Sequence, residues 1–200
     1  LRLTGLWAVD RMDLRFMNLL TTTRIPTELV PSILRRNIVI TLALIGLVFL
    51  VACGSSGQTA RDFEVVQFNG STFRLSEEVK TQAVVLNFWY PSCPPCREEM
   101  PAFEAAWQAL KDEPVRFLGL YVPQGIDTEE DARDFIEEFG LTFNFATDRL
   151  ARIAEAYELQ YFPKTYFINK DGQVVASHIS TLKTEEIITQ VRALLGDTTS

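Results

Sequence analysis

Cys93 and Cys96 are separated only by two prolines, a spacing that can hold a metal, form a small structural disulfide or exchange electrons. A zinc site needs two further ligands, and His178 is the only histidine in the chain. A copper site of the Cys and His type meets the same shortage of ligands. A structural disulfide across so short a loop adds little chain-entropy stabilisation. Thiol–disulfide exchange is therefore the favoured chemistry, with the metal sites as weaker alternatives.

The elements around this pair favour redox chemistry. A nearly continuous apolar run at 83–89 is typical of a strand buried on both faces, and a helical pattern follows at 94–111. A helix N-terminus carries partial positive charge and unpaired N–H groups, which lower the pKa of a thiol. Because Cys93 precedes the first helical residue, we expect it to be the exposed attacking thiol. Cys96, one turn into the helix, is expected to be shielded and to resolve the mixed disulfide.

The remainder of the chain alternates strands and helices. The pattern predicts an α/β fold, a sandwich with a central mixed β-sheet flanked by helices, over residues 61–197. Apolar alternation and turn signals predict further strands at 63–68, 72–75, 115–122, 143–146, 164–168 and 173–178, and helices that begin near Thr128, Asp148 and Thr184.

Residues 1–52 are predicted to be a leader segment without a place in the fold. An apolar run at 38–52 follows Arg35–Arg36, as the h-region of a secretory signal follows its positive n-region. The run is short for a transmembrane helix, which needs roughly 20 apolar residues. Because a secretory signal normally begins close to its positive charges, we expect an internal start, for example at Met17.

Cys53 directly follows this apolar run. Residues 50–53 (L-V-A-C) resemble a bacterial lipobox, which implies cleavage before Cys53 and attachment of lipid to it. Residues 53–60 would then be a lipid-anchored flexible tether. A single N-terminal transmembrane anchor is the alternative, and either arrangement predicts a domain outside the cytoplasm.

The charge of the chain limits its partners. The net charge is -7, and no basic cluster occurs beyond Arg35–Arg36, so nucleic acid is not an expected partner. We expect no metal and no cofactor, and we expect the protein to be a monomer.

Two ordered motifs carry a resemblance to a known family. Residues 87–101 (N-F-W-Y-P-S-C-P-P-C-R-E-E-M-P) resemble the active-site segment of the thioredoxin fold, above all its TlpA/ResA-like branch, which is related to the AhpC/TSA redoxins. Residues 161–168 (Y-F-P-K-T-Y-F-I) are similar to the proline segment of that family, and D-G-Q-V-V matches the hairpin that follows. The resemblance covers about residues 60–196.

The resemblance implies an extracytoplasmic, membrane-tethered thiol–disulfide oxidoreductase. It implies a cis peptide at Phe162–Pro163 beside the cysteines, and we expect Trp89, Ser92, Phe162 and Pro163 to contact the substrate. Implied substrates are disulfides of secreted proteins or the thiols of apocytochrome c. A membrane electron donor of the dithiol type would restore the reduced pair.

The chain departs from the family pattern at several positions. Ser92 stands where the family commonly has Trp, which removes an apolar surface beside the attacking thiol. Asn87 stands where thioredoxins themselves have a buried acid, as is usual in the TlpA/ResA-like branch. Gln124 stands at a possible proton-relay position where the branch often has Glu, and because Gln carries no proton, another group or water must serve. Glu98 and Glu99 are expected on the exposed surface of the helix.

The two prolines also predict the redox character of the pair. Because proline has no N–H to offer the Cys93 thiolate, we expect a modestly acidic Cys93 and a reducing couple. A peroxiredoxin-like thiol peroxidase is one alternative, although Tyr90 stands where that site needs Thr or Ser. A non-catalytic module that binds copper or peptide is another.

Overall fold

The computed structural model describes residues 57–196. The predicted leader, including Cys53, lies outside the described residues. In chain order the strands and helices are β1 Gln58–Thr59, β2 Glu64–Val66, β3 Thr72–Arg74, α1 Leu75–Glu78, β4 Ala83–Trp89, α2 Pro94–Leu110, β5 Val115–Tyr121, α3 Glu129–Glu138, β6 Asn144–Thr147, α4 Arg152–Ala156, β7 Lys164–Ile168, β8 Gln173–Ile179 and α5 Thr184–Leu195.

The main sheet has six strands in the order β1-β8-β7-β4-β5-β6. β4, β5 and β6 are parallel, whereas β7, β8 and β1 are added antiparallel. β2 and β3 form a separate antiparallel hairpin. The sheet is mixed and helices pack on its faces, so the predicted α/β sandwich is confirmed.

β4 is an inner strand of the sheet, between β7 and β5, and all seven of its side chains are buried. Successive side chains of a strand point to opposite faces, so β4 supplies both layers of the core. Val85 and Trp89 belong to the layer that contains α2 and α5, and Val84 and Phe88 belong to the layer on the other face. The strand therefore carries the chain to the sheet edge where the cysteines follow.

The caps of α3 and α4 fix the loops around the site. Thr128 and Asp131 form the predicted capping box at the start of α3. Asp148 accepts hydrogen bonds from the N–H groups of Ile153 (3.0 Å) and Ala154 (2.7 Å). It does so across a short 3-10 turn in which Leu150 adopts a φ of 62°, so α4 begins later than the sequence pattern predicts.

The predicted tether is partly wrong. Gln58 and Thr59 pair with Val174 and Gln173 at the edge of β8, so the fold includes residues that the sequence assigned to a flexible segment. None of the helices between residues 57 and 196 is both long and apolar enough to cross a membrane.

Candidate active site

Cys93 and Cys96 form a disulfide at the N-terminus of α2, with their Cα atoms 5.2 Å apart. Cys93 is the N-cap, and its sulfur accepts a hydrogen bond from the Cys96 N–H at 3.2 Å. The two residues between them are prolines and donate no hydrogen bond. The backbone thus offers this sulfur a single N–H within the C-P-P-C motif.

Cys93 is less accessible than the sequence predicts. In this oxidised form only 1% of its surface is exposed, so the expected exposed attacker is not found. Cys93 belongs to the buried cluster against which Tyr90 and Phe162 pack, and those two rings meet edge to face with centroids 5.2 Å apart. A substrate can therefore reach this sulfur only after neighbouring groups move.

The Phe162–Pro163 peptide is cis, as the resemblance implies. The Pro163 carbonyl accepts a hydrogen bond from the Ser180 N–H at 3.1 Å. β7 begins at the next residue, Lys164, and runs antiparallel to β4 with Lys164 opposite Phe88. Because β7 begins at the edge where β4 ends, the proline segment and the cysteine loop lie at the same edge of the sheet.

Trp89 does not lie where a substrate could contact it. Its side chain is fully buried. It packs against the rings of Tyr121, Phe135 and Phe145 at centroid distances of 5.9, 4.8 and 5.7 Å. The prediction that Trp89 contacts the substrate is therefore wrong. Trp89 lies on the same face of β4 as Val85, and this face packs in the core beneath the cysteine loop.

Ser92 is exposed and is held by a residue that the sequence did not single out. Its backbone N–H and its hydroxyl both donate to Oδ2 of Asp127, at 3.0 and 2.8 Å. The Asp127 backbone is fixed in turn, since its carbonyl accepts a hydrogen bond from the Tyr121 hydroxyl at 2.7 Å. Thirty-five positions separate the two residues in sequence, so no local pattern could reveal the pair.

Glu99 is buried, which corrects the expectation that it lies on the helix surface. Only 1% of it is exposed. Its Oε1 accepts a hydrogen bond from Asn87 Nδ2 at 2.8 Å, and the same Nδ2 group donates to Thr165 Oγ1 at 3.0 Å. Glu99 follows Cys96 by three residues, so both fall on the helix face that packs on the sheet. This helical spacing was the signal that could have found it.

Burial sets the proton affinity of Glu99. Loss of hydration raises its pKa to about 8, and the hydrogen bond from Asn87 and the nearby Leu182 backbone oppose this only in part. Its Oε2 makes no hydrogen bond of good geometry within residues 57–196. A carboxyl with this pKa, one helical turn from Cys96, is able to hold or release a proton near neutral pH.

Gln124 lies half-buried in the turn between β5 and α3. Its carbonyl accepts a hydrogen bond from the Asp127 N–H at 3.0 Å. Its role as a proton-relay position stays a prediction, whereas Glu99 is a titratable group inside the site.

Within residues 57–196, no three His, Cys, Asp or Glu side chains are placed so that they could hold a metal ion together, and His178 is exposed on β8.

An acidic groove of about 340 Å³ opens beside the cysteine loop. Arg97 crosses it, pairs with Glu138 at 2.6 Å and lies over the rings of Phe135 and Phe139. These contacts fasten α3 to the start of α2. The groove is lined by Pro91, Ser92, Arg97, Ile126, Asp127, Asp131, Asp134, Phe135 and Glu138.

Comparison with known proteins identifies the family. The AhpC/TSA family model matches residues 56–177. The thiol-disulfide oxidoreductase ResA of Geobacillus kaustophilus is 34% identical over 131 residues, which cover 66% of this chain and 73% of that protein. ResA of Halalkalibacterium halodurans is 28% identical over 140 residues, or 70% of this chain and 77% of that protein.

A solved structure shows the same fold. The crystal structure of a putative thiol:disulfide interchange protein DsbE from Chlorobium tepidum superposes with a TM-score of 0.63 at 23% identity, covering 70% of this chain and 97% of the other. The sequence relatives, the fold and the cysteine pair agree. The chain therefore belongs to the AhpC/TSA family, as a ResA-like thiol-disulfide oxidoreductase with the thioredoxin fold.

Proposed function

We propose that this protein is an extracytoplasmic, membrane-tethered reductase that reduces disulfides of secreted proteins or of apocytochrome c through its C-P-P-C dithiol. The observation that carries the proposal is the cysteine pair at the N-terminus of α2, at the same sheet edge as the cis Phe162–Pro163 peptide. Relatives that share up to 34% identity are named thiol-disulfide oxidoreductases.

The reaction is a two-step exchange. The Cys93 thiolate attacks one sulfur of the substrate disulfide, which forms a mixed disulfide and releases the other substrate sulfur as a thiolate that takes up a proton. Cys96 then loses its proton and attacks the Cys93 sulfur. This step releases the reduced substrate and leaves the Cys93–Cys96 disulfide. A membrane dithiol donor returns two electrons and two protons and is itself oxidised to a disulfide.

Glu99 is suited to the second step. Cys96 must lose a proton before it can attack, and it is fully buried. Glu99 is the buried titratable group one helical turn away, and its raised pKa of about 8 matches a thiol more closely than an ordinary carboxyl does. In its ionised form, part of the population near neutral pH, Glu99 can therefore accept the proton of Cys96 and return it when the dithiol is regenerated.

Reduction is favoured over oxidation by the environment of Cys93. One N–H, that of Cys96, reaches its sulfur at 3.2 Å, and the prolines offer none. Carboxylates line the adjacent groove. Both features disfavour a thiolate, and a couple whose reduced form gains little from thiolate stabilisation is reducing.

An extended substrate segment can bind beside Phe162. The N–H and C=O of this residue make no backbone hydrogen bond with any residue from 57 to 196, so both are available to a substrate strand. Ser92, exposed on the other side of the cysteine, is the second proposed contact. These contacts would orient a substrate disulfide toward Cys93.

Lipid on Cys53 is the proposed membrane attachment, with a single transmembrane helix as the alternative. The support is the apolar run at 38–52 and the lipobox-like residues that follow it. Gln58 already pairs with β8. The chain between Cys53 and Gln58 can span at most roughly 18 Å, which would keep the domain close to the membrane.

The reduction potential tests the proposal. The full chain with Cys53→Ser, which leaves only the Cys93–Cys96 couple, would be equilibrated in glutathione and dithiothreitol buffers in detergent. We expect a value near or below about -250 mV, close to thioredoxin. A potential near about -120 mV would instead identify an oxidant that installs disulfides, and the proposed direction would be wrong.

A further inference from the structure

We propose that Asp127 is a positioning residue for the dithiol: it holds Ser92, and with it the loop that carries Cys93, and its charge disfavours the Cys93 thiolate. The proposal rests on the proposed function, which makes Cys93 the attacking thiol. Asp127 lies in the loop between β5 and α3 and matches none of the motifs that the sequence carries.

The first support is the geometry of the contact. A single oxygen, Oδ2 of Asp127, accepts both the backbone N–H and the hydroxyl of Ser92, at 3.0 and 2.8 Å. Hydrogen bonds to an ionised acceptor are stronger than neutral ones and fix the orientation of their partners. Ser92 is bonded covalently to Cys93, so the contact constrains the backbone that directs the attacking sulfur. A residue without a hydroxyl at position 92 would keep the backbone bond and lose the hydroxyl bond.

The second support is that the carboxylate is itself held in place. The Asp127 carbonyl accepts the Tyr121 hydroxyl at 2.7 Å, and its N–H donates to the Gln124 carbonyl at 3.0 Å. Tyr121 is almost fully buried at the end of β5, next to Trp89. Asp127 also directly precedes Thr128, the N-cap of α3. The backbone of Asp127 is therefore held by a hydrogen bond to β5 and by its covalent bond to the N-cap of α3, unlike that of a mobile surface residue.

The electrostatic consequence follows from position. A fixed negative charge beside the residue that precedes Cys93 opposes ionisation of that thiol, which keeps the couple reducing. The partial charge of the α2 N-terminus and the Cys96 N–H act in the opposite direction. Other charged groups around the cysteine loop are Arg97, Asp131, Asp134 and Glu138 in the groove, Glu98 and Glu99 on α2, and Lys164, which directly follows Pro163.

Two substitutions of Asp127 distinguish the effect of its negative charge from the effect of its hydrogen bonds to Ser92. In Asp127→Asn, the asparagine oxygen can accept both Ser92 hydrogen bonds, so this variant removes the charge and keeps the contact. Asp127→Ala removes both. Asp134→Asn is the matched control, because Asp134 lines the same groove, is exposed, and its side chain makes no hydrogen bond or ion pair with residues 57–196. All variants are made in the full chain with Cys53→Ser.

The charge is tested first. The Cys93 pKa is measured from thiolate absorbance in a Cys96→Ser background, and the potential is measured with both cysteines present. We expect Asp127→Asn to lower the Cys93 pKa by about 0.5–1 unit. The exchange equilibrium with glutathione should shift toward the dithiol by up to about tenfold, which is about 30 mV for this couple. If Asp127→Asn shifts these values no more than Asp134→Asn does, the electrostatic role is overturned.

The tether is tested by hydrogen exchange. We expect the Ser92 amide to exchange with solvent faster in Asp127→Ala than in Asp127→Asn, since only the first lacks the acceptor. Equal exchange in the two variants would overturn the positioning role. Both readouts are independent of substrate. If the wild-type chain fails to reduce disulfides, the proposed function fails while the measured effect of Asp127 on Cys93 stands.

Discussion

Glu99 is a titratable side chain buried as deeply as the core, with only 1% of its surface exposed. Its pKa of about 8 arises because α2 presents it to the sheet, where Asn87 is its hydrogen-bond donor. Most carboxyls of folded proteins are stabilised in the ionised form. Glu99 is the opposite case, and its ionisation is coupled to the stability of the fold.

Replacing Glu99 with Gln should change how stability depends on pH. The folded pKa of Glu99 lies above its unfolded value of 4.5, so the folded state binds the extra proton. The stabilisation is fully present below the unfolded pKa and is lost as pH rises through the folded pKa. We therefore expect the stability of the oxidised wild type, relative to Glu99→Gln, to fall by about 2–4 kcal/mol from pH 4.5 to pH 8.

Urea unfolding of the oxidised full chain at several pH values measures this difference. Glu98→Gln is the matched control, because Glu98 is adjacent but exposed. Its pH profile should run parallel to that of the wild type. Parallel profiles for Glu99→Gln as well would show that Glu99 titrates as an ordinary carboxyl, and its proposed role as proton acceptor for Cys96 would then lose its basis.

Residue-scale features differ in how far the sequence could reveal them. Cys93 and Cys96 were identifiable from their types and spacing. Helical spacing also predicts that Glu99 is buried, because it lies on the same helix face as Cys96 and Met100. Glutamate is rarely buried, however, so its residue type favours an exposed position. The bond between Ser92 and Asp127 joins distant loops. It depends on how β5 and α3 meet, which local sequence does not specify.

At the scale of elements, the contact between β4, β5 and β6 supports the cysteine loop. Gly119 on β5 lies opposite Asn87 on β4, and Phe145 of β6 is its neighbour on the other side. A Cβ at position 119 would lie within 2.5 Å of Phe145 Cδ1 and 3.1 Å from Trp89 Nε1. The missing side chain of Gly119 therefore makes room for the aromatic rings beneath the site.

Gly119→Ala should destabilise the sheet. Phe145 and Trp89 are both buried among other rings, so they cannot move aside freely, and overpacking of this kind costs about 1–3 kcal/mol. Urea unfolding of the oxidised full chain measures the loss. The control is Gly57→Ala at the sheet edge, where the nearest heavy atom would lie at 3.2 Å. A loss for Gly119→Ala no larger than for the control would contradict the packing argument.

Strands and helices with a regular spacing of apolar residues could be predicted from the sequence, whereas elements without such a spacing could not. β4 matches its predicted bounds, and α2 and β5 each end one residue earlier than predicted. β1 is not predicted from the sequence, because Gln58 and Thr59 are two polar residues and show no alternation of apolar and polar side chains. The delayed start of α4 was missed because Leu150 and Ala151 adopt positive φ without a glycine to signal it.

At the scale of the whole molecule, charge is unevenly divided along the chain. Of the 19 Lys and Arg and 26 Asp and Glu in the sequence, 6 and 3 lie in residues 1–53. Residues 54–200 therefore carry 13 positive and 23 negative side chains. The acidic groove beside Ser92 places part of this excess next to the disulfide. Such a field attracts cationic substrates and repels anionic ones before any contact forms.

Small disulfides of opposite charge should therefore oxidise the reduced protein with opposite salt dependence. Between ionic strengths of about 0.01 M and about 0.15 M the Debye length shrinks from about 30 Å to about 8 Å. We expect the rate constant for cystamine, a dication, to fall roughly threefold over this range, and that for anionic glutathione disulfide to rise. Stopped-flow measurement of tryptophan fluorescence follows the reaction, because Trp89 packs in the cluster that contains both cysteines.

Hydroxyethyl disulfide is the neutral control and should react at a rate that salt does not change. If all three disulfides show the same salt dependence, the charge of the domain does not act at Cys93. Substrate choice would then depend on contacts at Ser92 and the Phe162–Pro163 segment rather than on long-range attraction. If cystamine alone responds to salt, the groove acts locally, and Asp134→Asn should reduce that response because it removes one carboxylate from the groove lining.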